Sequence, residues 1–222
     1  MRTLLIALLA AASVGGIVAA HGSGSSITWN REISRIVYDK CASCHRPAGA
    51  AFSLMTYADV QPRANELKEA VLARRMPPWG AVKGFGQFRN DQSLSQEQIE
   101  LITKWVDGGI RRGNNPGMLP KPPDFEAAAE GEPDAVVARV SGPWSSDRAF
   151  TLDGLLPERV GVNDQLRIVA VLPDGRIEPL LWLHNYDSRQ AHSFLLRRPL
   201  MLPAGTEIRG VSRDALIALL RR

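Results

Sequence analysis

The chain has 222 residues, 45% of them hydrophobic, with 27 Lys and Arg against 23 Asp and Glu and a formal charge of +4. That length holds one large domain or two small ones, and the composition excludes a disordered or fibrous chain. The basic residues are spread along the sequence rather than gathered in a block, so no nucleic-acid role is expected; the charge suits an acidic partner or a solvated surface. Many of the 19 Gly and 15 Pro fall mid-chain, which favours two domains with a linker.

The N-terminus reads as an export signal over residues 1–20. Met1-Arg2 is a short positive end, Leu4 to Ala12 an apolar core, and Val18-Ala19-Ala20 an A-x-A-like cleavage site. The expectation is a periplasmic protein. The alternative is an uncleaved membrane anchor, since the apolar stretch runs on to Ala20, but Ser13, Gly15 and Gly16 weaken a span that needs about 20 apolar residues. Cleavage after Ala20 would leave His21, a possible copper chelator, at the new N-terminus. No second ligand is near it, and residues 21–26 read as a Gly-Ser tether.

A first domain is expected over 27–113. Asn30 is a candidate N-cap with Glu32 in the first turn. Ile33, Ile36 and Val37 then make an amphipathic helix that runs into Cys41-Ala42-Ser43-Cys44-His45. C-x-x-C-H is the spacing for covalent haem c attachment. Cys41 and Cys44 are the only cysteines, placed to add to one haem vinyl group each, with His45 under the iron. The competing reading, a redox CxxC, calls for a preceding strand, and a helical pattern stands there instead. Pro47 either accepts the His45 Nδ1–H through its carbonyl or is a loop residue only.

Residues 58–75 read as one helix with Pro62 near its first turn. It stops at Arg74-Arg75-Met76-Pro77-Pro78-Trp79, where two prolines stiffen the chain. Met76, held before that stiff run, is the candidate second axial ligand; the plain alternative is core filler. Met55 is the runner-up, and Met118 falls in the linker. Arg74, Arg75 and Trp79 either bond haem propionates or, for the arginines, complement a helix C-terminus. Ser95 and Gln98 match a capping box ahead of a helical face of Ile99, Ile102, Trp105 and Val106, closed by Gly108-Gly109.

Residues 114–133 read as a Pro/Gly-rich linker. Residues 134–222 read as a small antiparallel β domain, sandwich-like: a strand near Val136 to Val140, a hairpin of 166–172 and 177–183 turning at Pro173-Asp174-Gly175, candidates over 191–196 and 207–211, and a short terminal helix over 213–222.

Ile27-Thr28-Trp29-Asn30, CASCHRPAG at 41–49, Phe52-Ser53-Leu54, RRMPPW at 74–79 and LSQEQIELITKWVDGG at 94–109 together resemble the class I cytochrome c domain of a bacterial family. In that family the domain precedes a copper type II, ascorbate-dependent monooxygenase-like region. The resemblance implies an all-α domain with one haem c on Cys41 and Cys44, and His45 and Met76 as iron ligands. LPDGRIEPLLWL at 172–183, Tyr186-Asp187 and PLMLPAGTEI at 199–208 resemble the last β domain of that region. The copper-ligand H-x-H segment is absent from 159–165, and only His184 and His192 occur in this half, so copper is not expected.

The expected function is therefore an exported monohaem electron carrier, rather than a catalyst, with a redox partner protein and possible association with a membrane complex. The alternatives are a haem-containing, monooxygenase-like enzyme, a haem sensor with a labile sixth ligand, and a structural subunit.

Overall fold

The computed structural model describes residues 26–125, 135–161 and 164–221. The expected signal at 1–20, most of the tether, the linker residues 126–133 and the first residue of the expected β domain, 134, lie outside the described residues.

The helical part is built of short pieces, each with a local reason for its length. Trp29–Ile33 forms a π-helical turn, closed by Ile33 N–H donating to the Thr28 carbonyl at 3.2 Å. Helix α1, Ser34–Lys40, continues from it. Asn30 is not the N-cap; Thr28 is. Asn30 is buried, and its Nδ2 donates to the carbonyls of Gly113 and Asn115, each at 3.2 Å, tying the start of the helical part to its end. The single helix expected over 58–75 is three elements. Helix α2 (Tyr57–Val60) opens with a Thr56/Asp59 capping box, a 3₁₀ turn follows at Gln61–Arg63, and α3 covers Ala64–Leu72. Pro62 lacks the amide that a continuous helix would donate to Ala58, which is why the path breaks there. Helix α4, Gln96–Asp107, starts with the predicted box: Gln98 N–H donates to Ser95 Oγ at 3.1 Å, and Ser95 N–H to Gln98 Oε1 at 2.9 Å. Trp29, Ile33, Val37, Val60, Leu67, Val71, Ile99, Ile102 and Trp105 form its core.

The larger part is a β-sandwich of two four-stranded antiparallel sheets. In chain order the strands are β1 (Ala135–Val140), β2 (Trp144–Ser145), β3 (Phe150–Arg159), β4 (Leu166–Val171), β5 (Ile177–Leu183), β6 (Phe194–Leu202), β7 (Glu207–Arg209) and β8 (Leu216–Arg221). The sheet orders are β1-β8-β3-β6 and β2-β7-β4-β5. The predicted β4–β5 hairpin is present, with Gly175 at φ 85° in its turn. The predicted terminal helix over 213–222 is instead strand β8, central in its sheet. Ile217 to Leu220 are all buried, and a strand covered on both faces shows the unbroken apolar run that also fits a buried helix.

Between α3 and α4 the chain leaves the helical part and straps the sandwich. Ala81 lies opposite Leu183 on the outer side of β5, and Phe88 opposite Leu196 on the outer side of β6. Val82 N–H donates to the Trp182 carbonyl at 2.8 Å and Arg89 N–H to the Leu195 carbonyl at 2.9 Å. The strap thus joins an edge of one sheet to an edge of the other, and Trp79 and Phe88 enter the sandwich core.

This architecture corrects the expected fold class. The protein is a mixed α/β fold dominated by an eight-stranded sandwich, not an all-α class I cytochrome c domain followed by a small β domain. Among the described residues the α-helices have 7, 4, 9 and 12 residues, and a segment read as part of the helical domain supplies core to the sandwich. The resemblance to the cytochrome c family is corrected on the same ground.

Candidate functional site

The C-x-x-C-H loop leaves the end of α1. Cys41 N–H and Ala42 N–H both donate to the Val37 carbonyl at 2.9 Å, and His45 N–H donates to the Cys41 carbonyl at 2.9 Å. A turn at 46–49 brings the chain back, so that Ala51 N–H reaches the Cys44 carbonyl at 3.1 Å and Leu54 N–H the His45 carbonyl at 3.1 Å. That return decides the partner of His45. Its Nδ1–H donates to the Phe52 carbonyl at 2.9 Å, not to Pro47, which is exposed. The imidazole meets the Phe52 ring edge-on at 4.7 Å, and the Arg63 guanidinium lies 4.2 Å from the same ring.

The two thiols are free and differently placed. Cys41 packs against the helical core, and burial, helped by Asp39 and Cys44, pushes its thiol up to about 12. Cys44 is exposed, with Ser43 Oγ 4.0 Å from its sulfur. A thiol that stays protonated at neutral pH is a poor nucleophile, so Cys41 is not poised to react.

An open groove of about 460 Å³ adjoins this loop, lined by Arg46, Pro47, Met55 and Lys121 to Phe125, with the Arg46 guanidinium 4.3 Å over the Phe125 ring. The other candidate residues do not line it. Met76 follows the end of α3, where Arg75 N–H and Met76 N–H both reach back to the Ala70 carbonyl, at 2.9 and 3.3 Å. Arg75 is exposed. Trp79, 5% exposed, sits in the sandwich core.

Around Trp79 lies a box that the sequence did not disclose. The His192 ring stacks on Trp79 with centroids 5.3 Å apart and planes 23° apart. Phe194 and Tyr186 close the box at 4.6 and 5.8 Å from His192. The His192 Nδ1–H donates to the Gln190 carbonyl at 3.0 Å, and burial lowers the affinity of the ring for a proton, with that carbonyl pulling weakly the other way. Beside the box, Arg89 makes two 2.8 Å bonds to the carboxylate of Asp153 and a third to the Leu196 carbonyl. Asp153 is 1% exposed and the Arg89 side chain 26%. No local pattern in the sequence links residues 64 positions apart.

On the outer face of the β4–β5 hairpin, Arg167 lies directly across from Trp182, and Phe85 of the strap completes a second cluster. The hairpin itself is legible in the sequence, but the burial of Leu166, Ile168 and Ala170 beside exposed Arg167 and the approach of Phe85 are seen only in the structure.

No protein-family model, no curated protein and no solved structure matches the chain. Among the described residues no three His, Cys, Asp or Glu side chains come together in a group that could hold a metal ion. One cysteine thiol is packed inward and the other faces solvent; Met76 stands at the end of α3 and Trp79 in the sandwich core, and neither lines the groove beside His45. The expected covalent haem c on Cys41 and Cys44, and with it the electron-carrier function on a His45–Met76 pair, is corrected accordingly.

Proposed function

We propose that the chain is an exported adaptor: a non-catalytic protein that holds its helical part and its sandwich in fixed relation and docks a partner protein. The observation that carries this reading is the strap. A passive connection needs no internal anchors, whereas residues 79–90 place two aromatic side chains in the sandwich core and an Arg89–Asp153 pair against it. A carboxylate as buried as Asp153 is costly to desolvate without its arginine, so the pair holds the strap in one position. Such rigidity suits a protein that presents surfaces and spends no binding energy on reorganising. The apolar N-terminal stretch with its A-x-A-like end supports export. Among the described residues no helix is long and apolar enough to cross a membrane.

The test is fractionation of the native host followed by cross-linking in intact cells. The expected result is recovery outside the cytoplasm and a discrete adduct with one partner. Cytoplasmic retention, or a chain that cross-links to nothing, would overturn the reading.

A further inference from the structure

Resting on the adaptor reading, we propose that Arg167, Trp182 and Phe85 form the docking surface, and that its occupant is an acidic, apolar-flanked segment of the partner protein. Arg167 on β4 and Trp182 on β5 are cross-strand partners, so their side chains share the outer face of the sheet. The Arg167 guanidinium carbon lies 5.1 Å from the Phe85 ring centroid and 5.4 Å from that of Trp182. The two rings meet edge to face at 5.8 Å. An arginine held against ring faces keeps its in-plane N–H fork open, and that fork matches a carboxylate.

No ion pair joins Arg167 to a carboxylate among the described residues, and on this face Arg209 is paired with Glu207. Lys83, exposed two residues before Phe85, adds a second positive charge. Aromatic and arginine side chains on a rigid base are the residues that dominate protein interfaces. The charge selects an acidic occupant, and the half-buried Trp182 and Phe85 select an apolar residue beside the acid.

The base is rigid for a backbone reason. Gly86 has φ 78°, and a Cβ there would sit 2.4 Å from the Leu180 carbonyl oxygen. Gly210 has φ 89°, and a Cβ there would sit 1.9 Å from the Arg167 carbonyl oxygen. Only glycine allows the strap and the β7 exit to press this closely on β4 and β5, so the three side chains are set before a partner arrives.

The experiment measures fluorescence anisotropy of a labelled peptide of alternating glutamate and leucine with the full-length exported protein. A glutamine-leucine peptide and a single-stranded oligonucleotide of equal charge are controls. The expected result is saturable, salt-sensitive binding of the glutamate peptide, at least tenfold weaker for the glutamine peptide. Arg167→Gln and Trp182→Ala each weaken it about tenfold, and Arg167→Lys also weakens it, because lysine lacks the planar fork. No binding, binding indifferent to Arg167→Gln in a folded variant, or equal binding of the oligonucleotide would overturn the proposal. Cross-linking in cells separates the two claims. An adduct that survives Arg167→Gln overturns this surface and leaves the adaptor reading standing; no adduct with the unaltered protein overturns the adaptor reading itself.

Discussion

Two histidines, each in a loop and each against an aromatic ring, mark opposite ways of holding a segment. His45 meets Phe52, seven residues on, in a loop whose hydrogen bonds run mostly between its own neighbours. Phe52 itself is 50% exposed. His192 meets Trp79, more than a hundred residues away, in a box closed by Tyr186 and Phe194. The first arrangement is local and open to solvent. The second fastens one part of the molecule to the other. A motif dense in chemistry-bearing residue types can thus be a self-contained surface loop, while a tryptophan in a proline-rich run holds the architecture together.

Truncating the strap should separate the two most sharply. Trp79→Ala removes a buried ring from the sandwich core and is expected to cost about 4 kcal/mol, within the range for large aromatic truncations; urea denaturation reads it as a lowered midpoint. Asp153→Ala leaves Arg89 without its carboxylate and is expected to cost about 3 kcal/mol, with earlier proteolysis within 79–90 than in the parent.

The His192 box should also respond to pH. Its folded-state proton affinity is lowered by burial, so the unfolded chain binds the proton more readily. The stability it contributes is fully present above the unfolded value of about 6.5 and is lost as pH falls below it. Thermal melts from pH 7.5 to 5 should show a decline that His192→Phe makes shallower. In the open loop, Phe52→Ala should cost less than about 1 kcal/mol by the same denaturation, because a half-exposed ring loses little burial.

What the sequence made legible follows the same division. The Ser95/Gln98 box and the turn at Gly175 are contiguous signals, and each appears in the structure where the pattern placed it. Pro62 fits the first turn of a single helix in sequence, yet its missing amide divides that stretch into α2, a 3₁₀ turn and α3. β8 reads as a helix in sequence because Leu216 to Leu220 is apolar throughout, which period alone does not resolve. The strap was invisible for a different reason. Nothing near Trp79 names Phe194, and nothing near Arg89 names Asp153. At the C-x-x-C-H loop the spacing was real, but spacing does not say that Cys41 packs inward, that Cys44 faces out, or that Phe52 takes the His45 hydrogen bond.

The position of β8 has a consequence for the order in which the molecule is made. β1 and β3 do not pair with each other; each pairs with β8, which lies between them, and the Arg139–Glu158 ion pair reaches across it. As the chain is synthesised, β1 and β3 emerge early and wait for residues 216–221 before their sheet can close. Until then the sandwich cannot complete its core, and the apolar inner faces of β1 and β3 have no finished sheet to cover them.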